Sequence, residues 1–341
     1  MLLRGPCDQN LKQLLEAELA EVECRFSAEL LSDLPCVNGL VAHLERYRGK
    51  MLRPTLVLAS GLTCGAPGRE VTPSHRIVAA VVEMVHMATL VHDDILDEAL
   101  MRRGGATVNH LSGNETAVML GDYLISHAYH LCSSLEEPAA ARLIAEATNS
   151  ICEGELLQLA NRNNQDLDEP TYYEIIRRKT ASLCGACCRL GAVLHGAPPH
   201  VAGALHRYGE LVGVAFQVVD DLLDLVGDPE TVGKTLGRDL QEGKLTLPII
   251  HYLRTAPSAA ARLTEPGRIG PDSSGVPDSS ADAALAARVR EAIVAGGSVQ
   301  YALAQARRLI AEAKQALAEV PDHPARELLL SMADAVVTRE F

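Results

Sequence analysis

The sequence of 341 residues contains no tryptophan and only three phenylalanines, so few large aromatic side chains are available to fill a core or close a cavity. It also lacks any uninterrupted run of 18 or more apolar residues, and we therefore predict no transmembrane helix. The opening residues, MLLRGPCDQNLKQ, turn polar before a hydrophobic segment forms, which predicts no signal peptide. Together these absences favour a cytoplasmic protein.

Positive charge is also scarce. The chain has 31 Lys and Arg residues against 44 Asp and Glu residues, which gives a formal net charge of -13. Nucleic-acid binding depends on a basic surface that neutralises phosphates. We therefore expect no nucleic-acid partner.

Nine cysteines, an odd number in a large chain, fit reduced thiols better than a disulfide framework. Cys184, Cys187 and Cys188 form the sequence CGACC, for which a metal site is one interpretation. A zinc site needs further ligands at suitable spacing, and no second CxxC pair or HxxxH pair occurs. We favour the alternative that these small residues let neighbouring helices approach closely.

Helical periodicity runs through the whole chain, whereas no alternating strand pattern of useful length occurs. Thr72 and Pro73 are typical of a helix start, and the apolar pattern that follows continues to about residue 100. Thr171 and Glu174 stand at capping-box spacing before another helix. We predict an all-α, single-domain bundle over residues 1–341, with a mobile surface loop in the Gly/Pro/Ser-rich segment 264–280.

One short acidic motif occurs twice, as DDILD at 93–97 and as DDLLD at 220–224. In a helix, positions i and i+4 share a face, so Asp93 and Asp97 form one carboxylate pair and Asp220 and Asp224 form another. Ionised carboxylates on an apolar helix are costly unless they are paired or bind a metal. For a single copy, a solvated helix end is an equally good interpretation.

Basic residues accompany both motifs. Arg102 and Arg103 follow the first copy, and GKTLGRDLQEGKLTLP follows the second. Carboxylates interleaved with Arg and Lys indicate Mg²⁺ ions that are shared between the protein and a phosphate-bearing ligand. No glycine-rich P-loop of the GxxxxGK[ST] type is present, so the pattern favours a diphosphate site of another kind.

The ordered motifs RGKMLRP, HDDILDEALMRRGGATVN, RRKTAS, FQVVDDLLD and GKTLGRDLQEGKLTLP resemble those of the trans-isoprenyl diphosphate synthases, also called polyprenyl synthetases. The resemblance extends from about residue 40 to the C-terminus. It implies the isoprenoid synthase fold, in which long helices surround a central cavity. It also implies an Mg²⁺-dependent enzyme, with three ions per active site, that is typically a homodimer.

The resemblance assigns residues to two substrates, isopentenyl diphosphate and an allylic diphosphate. The implied metal ligands are Asp93, Asp97, Asp220 and Asp224, with Asp94 beside them in the catalytic site. The implied allylic diphosphate ligands are Arg102, Lys179, Thr180, Gln217, Lys234 and Lys244. The implied isopentenyl diphosphate ligands are Lys50, Arg53, His86 and Arg103. Spacing supports one assignment independently, because His86 lies seven residues before Asp93 on the same helical face.

The expected reaction is ionisation of the allylic diphosphate, attack by the double bond of isopentenyl diphosphate, and loss of a proton. Charge on the departing diphosphate would be stabilised by Mg²⁺ together with Arg and Lys. Short-product members of the family carry a bulky residue or an insertion near the first motif, whereas this chain has the small residues Ala88 and Thr89. We therefore predict a long product of roughly six to ten isoprene units, since the cavity volume limits the ligand.

Several alternatives remain open. His92 and Asp93 form an HD dyad like that of metal phosphohydrolases, although the second acidic motif then has no role. A class I terpene cyclase shares the first motif but carries a different second metal motif. A synthase of shorter products, such as farnesyl or geranylgeranyl diphosphate, and a non-catalytic subunit of a heteromeric synthase are the two alternatives within the family.

Overall fold

The structure, a computed structural model, describes residues 9–45, 49–65, 71–226, 239, 242–256 and 289–338. The elements before the first acidic motif are α1 (Gln9–Glu29), α2 (Pro35–Glu45), α3 (Leu52–Cys64) and α4 (Pro73–Leu96). Those that follow are β1 (Met101–Arg102), β2 (Gly105–Ala106), α5 (Val108–Ser112), α6 (Asn114–Cys132), α7 (Pro138–Ala160), α8 (Glu169–Ile176), a π-helical segment (Arg177–Ala181), α9 (Ser182–Val193), α10 (Pro199–Val226), α11 (Leu247–Thr255), α12 (Ser298–Ala316), a 3₁₀ turn (Leu317–Glu319) and α13 (Pro324–Val337).

The all-α prediction is confirmed, with a small addition. In the described part of the chain, the strands β1 and β2 form one antiparallel hairpin, in which Met101 pairs with Ala106 and Arg102 with Gly105. Two-residue strands are too short to show the alternating pattern by which strands are recognised in a sequence. The segment 264–280 lies outside the described residues.

The described residues fall into two compact units. The first unit comprises those of Met1–Asn149, Ser182–Glu210 and Ala313–Ala335, and the second those of Ser150–Ala181, Leu211–Glu312 and Val336–Phe341. DDILD belongs to the first unit and DDLLD to the second. That the chain is one domain around a central cavity stays a prediction.

Helix α4 is the central helix of the first unit, where it packs against α1, α3, α5, α6 and α9. Its residues 78–85 are buried on every side, as expected of a helix that is apolar nearly all round, and Glu83 is the one charged residue among them. Among the described helices, α4 alone has the length and hydropathy that a membrane crossing needs, and 67% of its most apolar window is buried inside the protein. This burial is the pattern of a core helix.

The start of α4 agrees with the prediction, because Thr72 is its N-cap and forms a capping box with His75. The helix ends at Leu96, four residues earlier than the apolar pattern suggests. The capping prediction for α8 is wrong. Asp168 is the N-cap there, and its side chain accepts a hydrogen bond from the Thr171 N–H at 2.8 Å. An Asp followed by a Pro in the first turn is the stronger start signal.

Close helix contacts explain the small residues of CGACC. A Cβ atom at Gly185, within CGACC on α9, would stand 2.9 Å from His206 Cε1 of α10, and one at Gly209 of α10 would stand 2.5 Å from the Cys184 carbonyl oxygen. All three cysteines of this sequence are buried and free. Burial raises the pKa of Cys188 to about 12. These contacts confirm the close-packing interpretation.

The second unit contains a break in helical regularity at a sequence motif. Between α8 and α9, the residues of RRKTA adopt a π-helical turn, a feature that is frequent at functional sites. Helix α7 approaches this turn closely, since a Cβ atom at Gly154 would stand 2.5 Å from the Lys179 backbone nitrogen. The backbone that carries Lys179 and Thr180 is therefore held directly against α7.

Candidate active site

The first acidic motif lies where α4 ends and the chain turns into the hairpin. The Asp97 N–H donates to the Asp93 carbonyl oxygen at 2.9 Å, so the last helical bond joins the two residues of the predicted i, i+4 pair. A positive φ angle at Glu98 (48°) turns the chain just after the helix, between Asp94 and Arg102, and Arg102 lies back against the end of the helix. Positive φ angles at Arg103 (49°) and Gly104 (78°) then form the turn of the β1–β2 hairpin.

Asp94, the middle carboxylate of the motif, binds Arg102. Its Oδ1 accepts from Arg102 Nε at 2.8 Å and lies 2.7 Å from Arg102 Nη2. Asp94 is buried, whereas Asp93 and Asp97 are half-buried. Burial alone would lower the pKa of Arg102, but the hydrogen bond and charge of Asp94, with the charges of Asp93 and Asp97, give a net rise. The motif therefore divides into two outer carboxylates and one that orients an arginine.

A cluster of basic groups adjoins this turn. Burial lowers the pKa of His86 well below its usual value, and the charges of Arg53, Arg103 and Arg102 lower it further. His86 is therefore neutral at pH 7 and adds no charge of its own to the cluster. Gly49 contacts the Arg103 guanidinium so closely that a Cβ atom would stand 2.9 Å from two of its nitrogens. The structure thus brings RGKMLRP and the first acidic motif together.

Two further observations suit this basic cluster to an anion. Met51 has a left-handed backbone (φ 53°) and caps α3, which sets Lys50 and Arg53 on either side of the turn. Arg53 Nε is buried and has no hydrogen-bond partner within the described part of the chain. A buried donor without a partner is costly, so a ligand oxygen at this position would be stabilising.

The predicted chain-length residues precede the acidic pair on α4. Ala88 is fully buried, and Thr89 is half-buried with its hydroxyl donating to the His86 carbonyl oxygen at 2.8 Å. Behind them along the helix, Met84 and Val85 are buried as well. At these four positions α4 therefore carries small or unbranched and aliphatic side chains and no aromatic ring.

His92, the histidine of the HD dyad, contacts α6. Its Nε2 lies 3.3 Å from the Val118 carbonyl oxygen and 3.6 Å from Asp122 Oδ1. Gly121 makes room for the ring, because a Cβ atom there would stand 2.1 Å from Nε2. These contacts explain His92 by helix packing and leave the dyad without support.

In the second acidic motif, the middle carboxylate is the centre of a hydrogen-bond network. Asp221 accepts from the Tyr172 hydroxyl at 2.6 Å and from Gln217 Nε2 at 2.8 Å, and Thr180 Oγ1 donates to Gln217 Oε1 at 2.9 Å. Burial raises the pKa of Asp221 to about 7, against the effect of the two hydrogen bonds and with that of the Asp220 and Asp224 charges. The network fixes Thr180 and Gln217, two of the predicted ligands.

The outer carboxylates of this motif, Asp220 and Asp224, are half-buried. Asp224 Oδ2 accepts from the backbone N–H of Asp239 at 3.2 Å. Burial raises the pKa of the Asp239 carboxyl well above its usual value, and the charges of Asp221 and Asp224 act in the same direction. Asp239 therefore lies near this motif as an additional carboxylate.

The predicted lysines of the second unit contact acidic or amide groups. Lys179 Nζ donates to Gln158 Oε1 at 2.9 Å and pairs with Glu155. Lys244 Nζ lies 2.7 Å from Glu242 Oε2, and its backbone N–H donates to the Asp239 carbonyl oxygen at 2.8 Å. Lys234 lies outside the described residues.

Both acidic motifs and their basic neighbours lie within one region that matches a protein-family model. The model of the polyprenyl synthetase family matches residues 35–273, a range that contains both acidic motifs and the basic residues around them. The chain belongs to the polyprenyl synthetase family. The resemblance inferred from the motifs is thereby confirmed.

Relatives in this family align with nearly the whole chain. Octaprenyl diphosphate synthase of Escherichia coli is 34% identical over 332 residues, which are 97% of this chain and 99% of that protein. A polyprenyl synthase of Caulobacter crescentus, solved with calcium and isoprenyl diphosphate, has a TM-score of 0.88 at 34% identity and covers 98% of this chain and 99% of its own. A decaprenyl diphosphate synthase of Rhodobacter capsulatus has a TM-score of 0.87 at 35% identity, with coverages of 97% and 99%.

Three residues of this polyprenyl synthetase site escaped the sequence reasoning. Tyr172 lies 49 positions from its partner Asp221, and no local pattern joins them. Asp221 was visible only as the second letter of DDLLD. Asp239 stands in the GKTLGRDLQEGKLTLP motif, and that position was the available signal.

Proposed function

We propose that this polyprenyl synthetase is a prenyltransferase that adds isopentenyl diphosphate units head-to-tail to an allylic diphosphate, releasing a long all-trans polyprenyl diphosphate. The observation that carries the proposal is the repeated arrangement of the acidic motifs. Each has two half-buried outer carboxylates and a buried middle carboxylate held by protein donors.

The donor chemistry suits Mg²⁺. Asp93, Asp97, Asp220 and Asp224 offer oxygen ligands only, and Mg²⁺ is usually bound by a few carboxylates together with substrate phosphates. We propose three ions per active site, which when bound would neutralise charge on the departing diphosphate. The calcium and isoprenyl diphosphate in the Caulobacter crescentus structure support a divalent metal beside a diphosphate.

The basic residues bind the two substrates. Arg102, Lys179, Lys234 and Lys244, with Thr180 and Gln217, bind the allylic diphosphate, while Lys50, Arg53, His86 and Arg103 bind isopentenyl diphosphate. Neutral His86 gives a hydrogen bond to a phosphate oxygen without adding charge, and Arg53 Nε uses its unpartnered donor for the same ligand. Charge-assisted hydrogen bonds of this kind orient a diphosphate strongly.

The proposed reaction uses these assignments. The C–O bond of the allylic diphosphate breaks, and its electron pair leaves with the diphosphate, which Arg102 and Lys179 hold. The double bond of isopentenyl diphosphate forms the new C–C bond to the allylic carbon, and the released diphosphate accepts the proton that is lost. Apolar side chains such as Ala88 and Val85 exclude water that would otherwise capture the cation.

A long product is supported by the small side chains before the first motif and by the relatives. The Escherichia coli and Rhodobacter capsulatus proteins are named as octaprenyl and decaprenyl diphosphate synthases. We propose a quinone side-chain precursor of similar length, made by a cytoplasmic homodimer. The molar mass of the tag-free protein in solution tests the dimer.

A product assay tests the activity. Purified protein receives farnesyl diphosphate, labelled isopentenyl diphosphate and Mg²⁺, and the extracted products are sized by chromatography. We expect chain extension, and for Asp93→Asn a loss of at least about 100-fold in kcat, since one lost charge-stabilising group commonly costs 10²- to 10³-fold. Glu98→Gln is the matched control, because Glu98 is exposed and adjoins the same motif.

The possible outcomes separate the candidates. Extension that survives Asp93→Asn would contradict the site, and hydrolysis of phosphoesters without extension would favour a phosphohydrolase. No activity at all would indicate a subunit that needs a partner. A product of four isoprene units, which is one addition to farnesyl diphosphate, would confirm the synthase and contradict the long-chain assignment.

A further inference from the structure

A cluster of metal-ligating side chains lies apart in sequence from both acidic motifs. It consists of Glu29 at the end of α1 and His127 and His130 near the end of α6. The carboxylate oxygen and the two imidazole nitrogens all lie within 4.8 Å of one another. None of these residues has a part in the proposed synthase chemistry.

The three groups converge on one point. His127 Nδ1 lies 3.3 Å from Glu29 Oε1, and His130 Nδ1 lies 2.6 Å from the same oxygen. The two histidines stand three positions apart on a helix, which places them on one face. His127 and His130 lie 98 and 101 positions after Glu29 in the sequence, yet the three residues present their ligand atoms to one shared space.

The spacing suits a tetrahedral metal ion. With Zn–N and Zn–O bonds of about 2.0–2.2 Å, neighbouring ligand atoms stand roughly 3.3–3.5 Å apart. The His127–Glu29 distance already has this value. The His130–Glu29 distance must lengthen by roughly 0.7 Å to reach it, and the His130 side chain, which is 76% exposed, is free of packing that would prevent the movement.

We propose that Glu29, His127 and His130 bind a divalent transition-metal ion. Zn²⁺ is the preferred physiological ion, and a solvent molecule is its fourth ligand. Two imidazoles and one carboxylate suit Zn²⁺, Co²⁺ or Ni²⁺. They do not suit Mg²⁺, which requires oxygen ligands. The site therefore has a different metal class from the acidic motifs.

The surroundings of the cluster favour a structural role. The Tyr123 hydroxyl donates to the Leu30 carbonyl oxygen at 3.2 Å, and the rings of Tyr123 and His127 lie 4.3 Å apart. These contacts fix the end of α1 against α6 and orient one ligand. A bound ion would fasten the two helices at this point.

Zinc binding by the tag-free, full-length protein tests the proposal. Equilibrium dialysis with Zn²⁺ is performed in excess Mg²⁺, and the ion content of wild type is compared with that of His130→Ala. His130 is exposed, so this variant should fold. We expect His130→Ala to lower the zinc affinity of one site at least about 10-fold, since even removing an outer-shell partner of a ligand lowers metal affinity 10- to 100-fold.

Four further variants and a second readout complete the test. Glu29→Gln should weaken the same site, whereas His110→Ala and Glu23→Gln, which change exposed residues of α5 and α1, should leave it unchanged. Co²⁺ added to wild type should give a visible absorption spectrum of imidazole-bound, low-coordinate cobalt, which His127→Ala removes. Zinc that binds the acidic motifs is unaffected by these substitutions. If His130→Ala and Glu29→Gln keep the wild-type number of ions and affinity, the cluster is only an interhelical hydrogen-bonded contact and the proposal is wrong.

Discussion

The two acidic motifs have nearly identical sequences but different electrostatics. In DDILD, the middle carboxylate of Asp94 pairs with the charged guanidinium of Arg102, eight residues away. In DDLLD, the middle carboxylate of Asp221 accepts hydrogen bonds from two neutral donors, the Tyr172 hydroxyl and the Gln217 amide. In DDILD the partner, Arg102, comes from the turn that follows the motif. In DDLLD one of the two partners, Tyr172, comes from a separate helix.

The two motifs compensate the cost of burying their middle carboxylates in different ways. A charged partner compensates Asp94 and draws Arg102 to the end of α4, so one ion pair serves both residues. Neutral partners only partly offset the burial of Asp221, and its pKa rises to about 7. The middle carboxylate of the first motif therefore orients the cation Arg102, whereas that of the second orients the neutral side chains of Gln217 and, through it, Thr180.

The largest expected difference is in stability. Asp94→Asn removes the carboxylate that contacts the mostly buried Arg102 directly, while the charges of Asp93 and Asp97 remain nearby, and breaking a buried pair in this way commonly costs about 3–5 kcal/mol. Asp221→Asn loses one of two neutral hydrogen bonds, which costs about 1 kcal/mol, but it also removes the cost of burying a carboxylate whose pKa is raised to about 7, so its net cost should be smaller still. We expect the free energy of unfolding, measured by urea titration of each variant, to fall more for Asp94→Asn.

Asp166→Asn serves as the control for this pair, because Asp166 is exposed and should change stability by less than about 0.5 kcal/mol. Equal losses for the two middle aspartates would show that charged and neutral partners are equivalent here. Such a result would remove the distinction between the motifs.

Sequence periodicity was sufficient for the helices and for the carboxylate pairs, because both depend on residues within one or two turns. The N-cap at Thr72 and the Asp93–Asp97 pair are local in this sense. The partners of the middle aspartates were not predicted. Arg102 reaches Asp94 through a turn with a positive φ angle at the non-glycine residue Glu98, and Tyr172 reaches Asp221 from another helix.

The other features that the sequence does not predict depend on residues that are far apart in the chain but close in the fold. His127 and His130 were visible as an i, i+3 pair, but Glu29 comes from a helix about a hundred positions earlier. The π-helical turn at Lys179 packs closely against Gly154 in α7. Neither contact leaves a periodic pattern in a single sequence.

The second expected difference is in product length. Ala88 and Ala215 occupy the same place in the two motifs, five residues before Asp93 and Asp220, and both are fully buried. We expect Ala88→Phe to shorten the product because the aromatic ring obstructs the growing chain. Ala215→Phe should leave the product length unchanged. Chromatography of the extracted polyprenyl products measures both.

Overpacking is the shared risk of these two variants, since an inserted ring in a packed core typically costs about 1–3 kcal/mol. Thermal unfolding of each protein shows whether the losses are similar, and only a difference in product length is then informative. Equal shortening by both substitutions, or by neither, would contradict the assignment of the chain-length position to α4.

His75, a buried histidine outside both acidic motifs, should make the stability of the folded protein sensitive to acid. Its contribution has to be known before a pH dependence of stability is assigned to the motifs. His75 is buried, and its Nδ1 accepts from the Thr72 N–H at 3.3 Å while its Nε2 lies 3.0 Å from the Gly191 carbonyl oxygen. These contacts require the neutral ring with its proton on Nε2. Burial lowers the pKa of His75 to about 4, helped by the charges of His195 and Arg76 and opposed by the Gly191 hydrogen bond and the Glu18 charge.

The smallest expected effect is therefore a loss of stability in mild acid. The unfolded chain binds a proton at His75 near pH 6.5 and the folded protein only near pH 4, so the unfolded state binds more protons between these values and stability falls as the pH decreases. From pH 7 to 5.5 this one group should remove about 1 kcal/mol from the free energy of unfolding. His75→Gln keeps a donor for Gly191 and an acceptor for Thr72 but cannot titrate, so urea titrations at the two pH values should show a smaller decrease for this variant. An equal decrease in both proteins would assign the acid sensitivity to other groups, with the carboxylates of the two acidic motifs as the next to test.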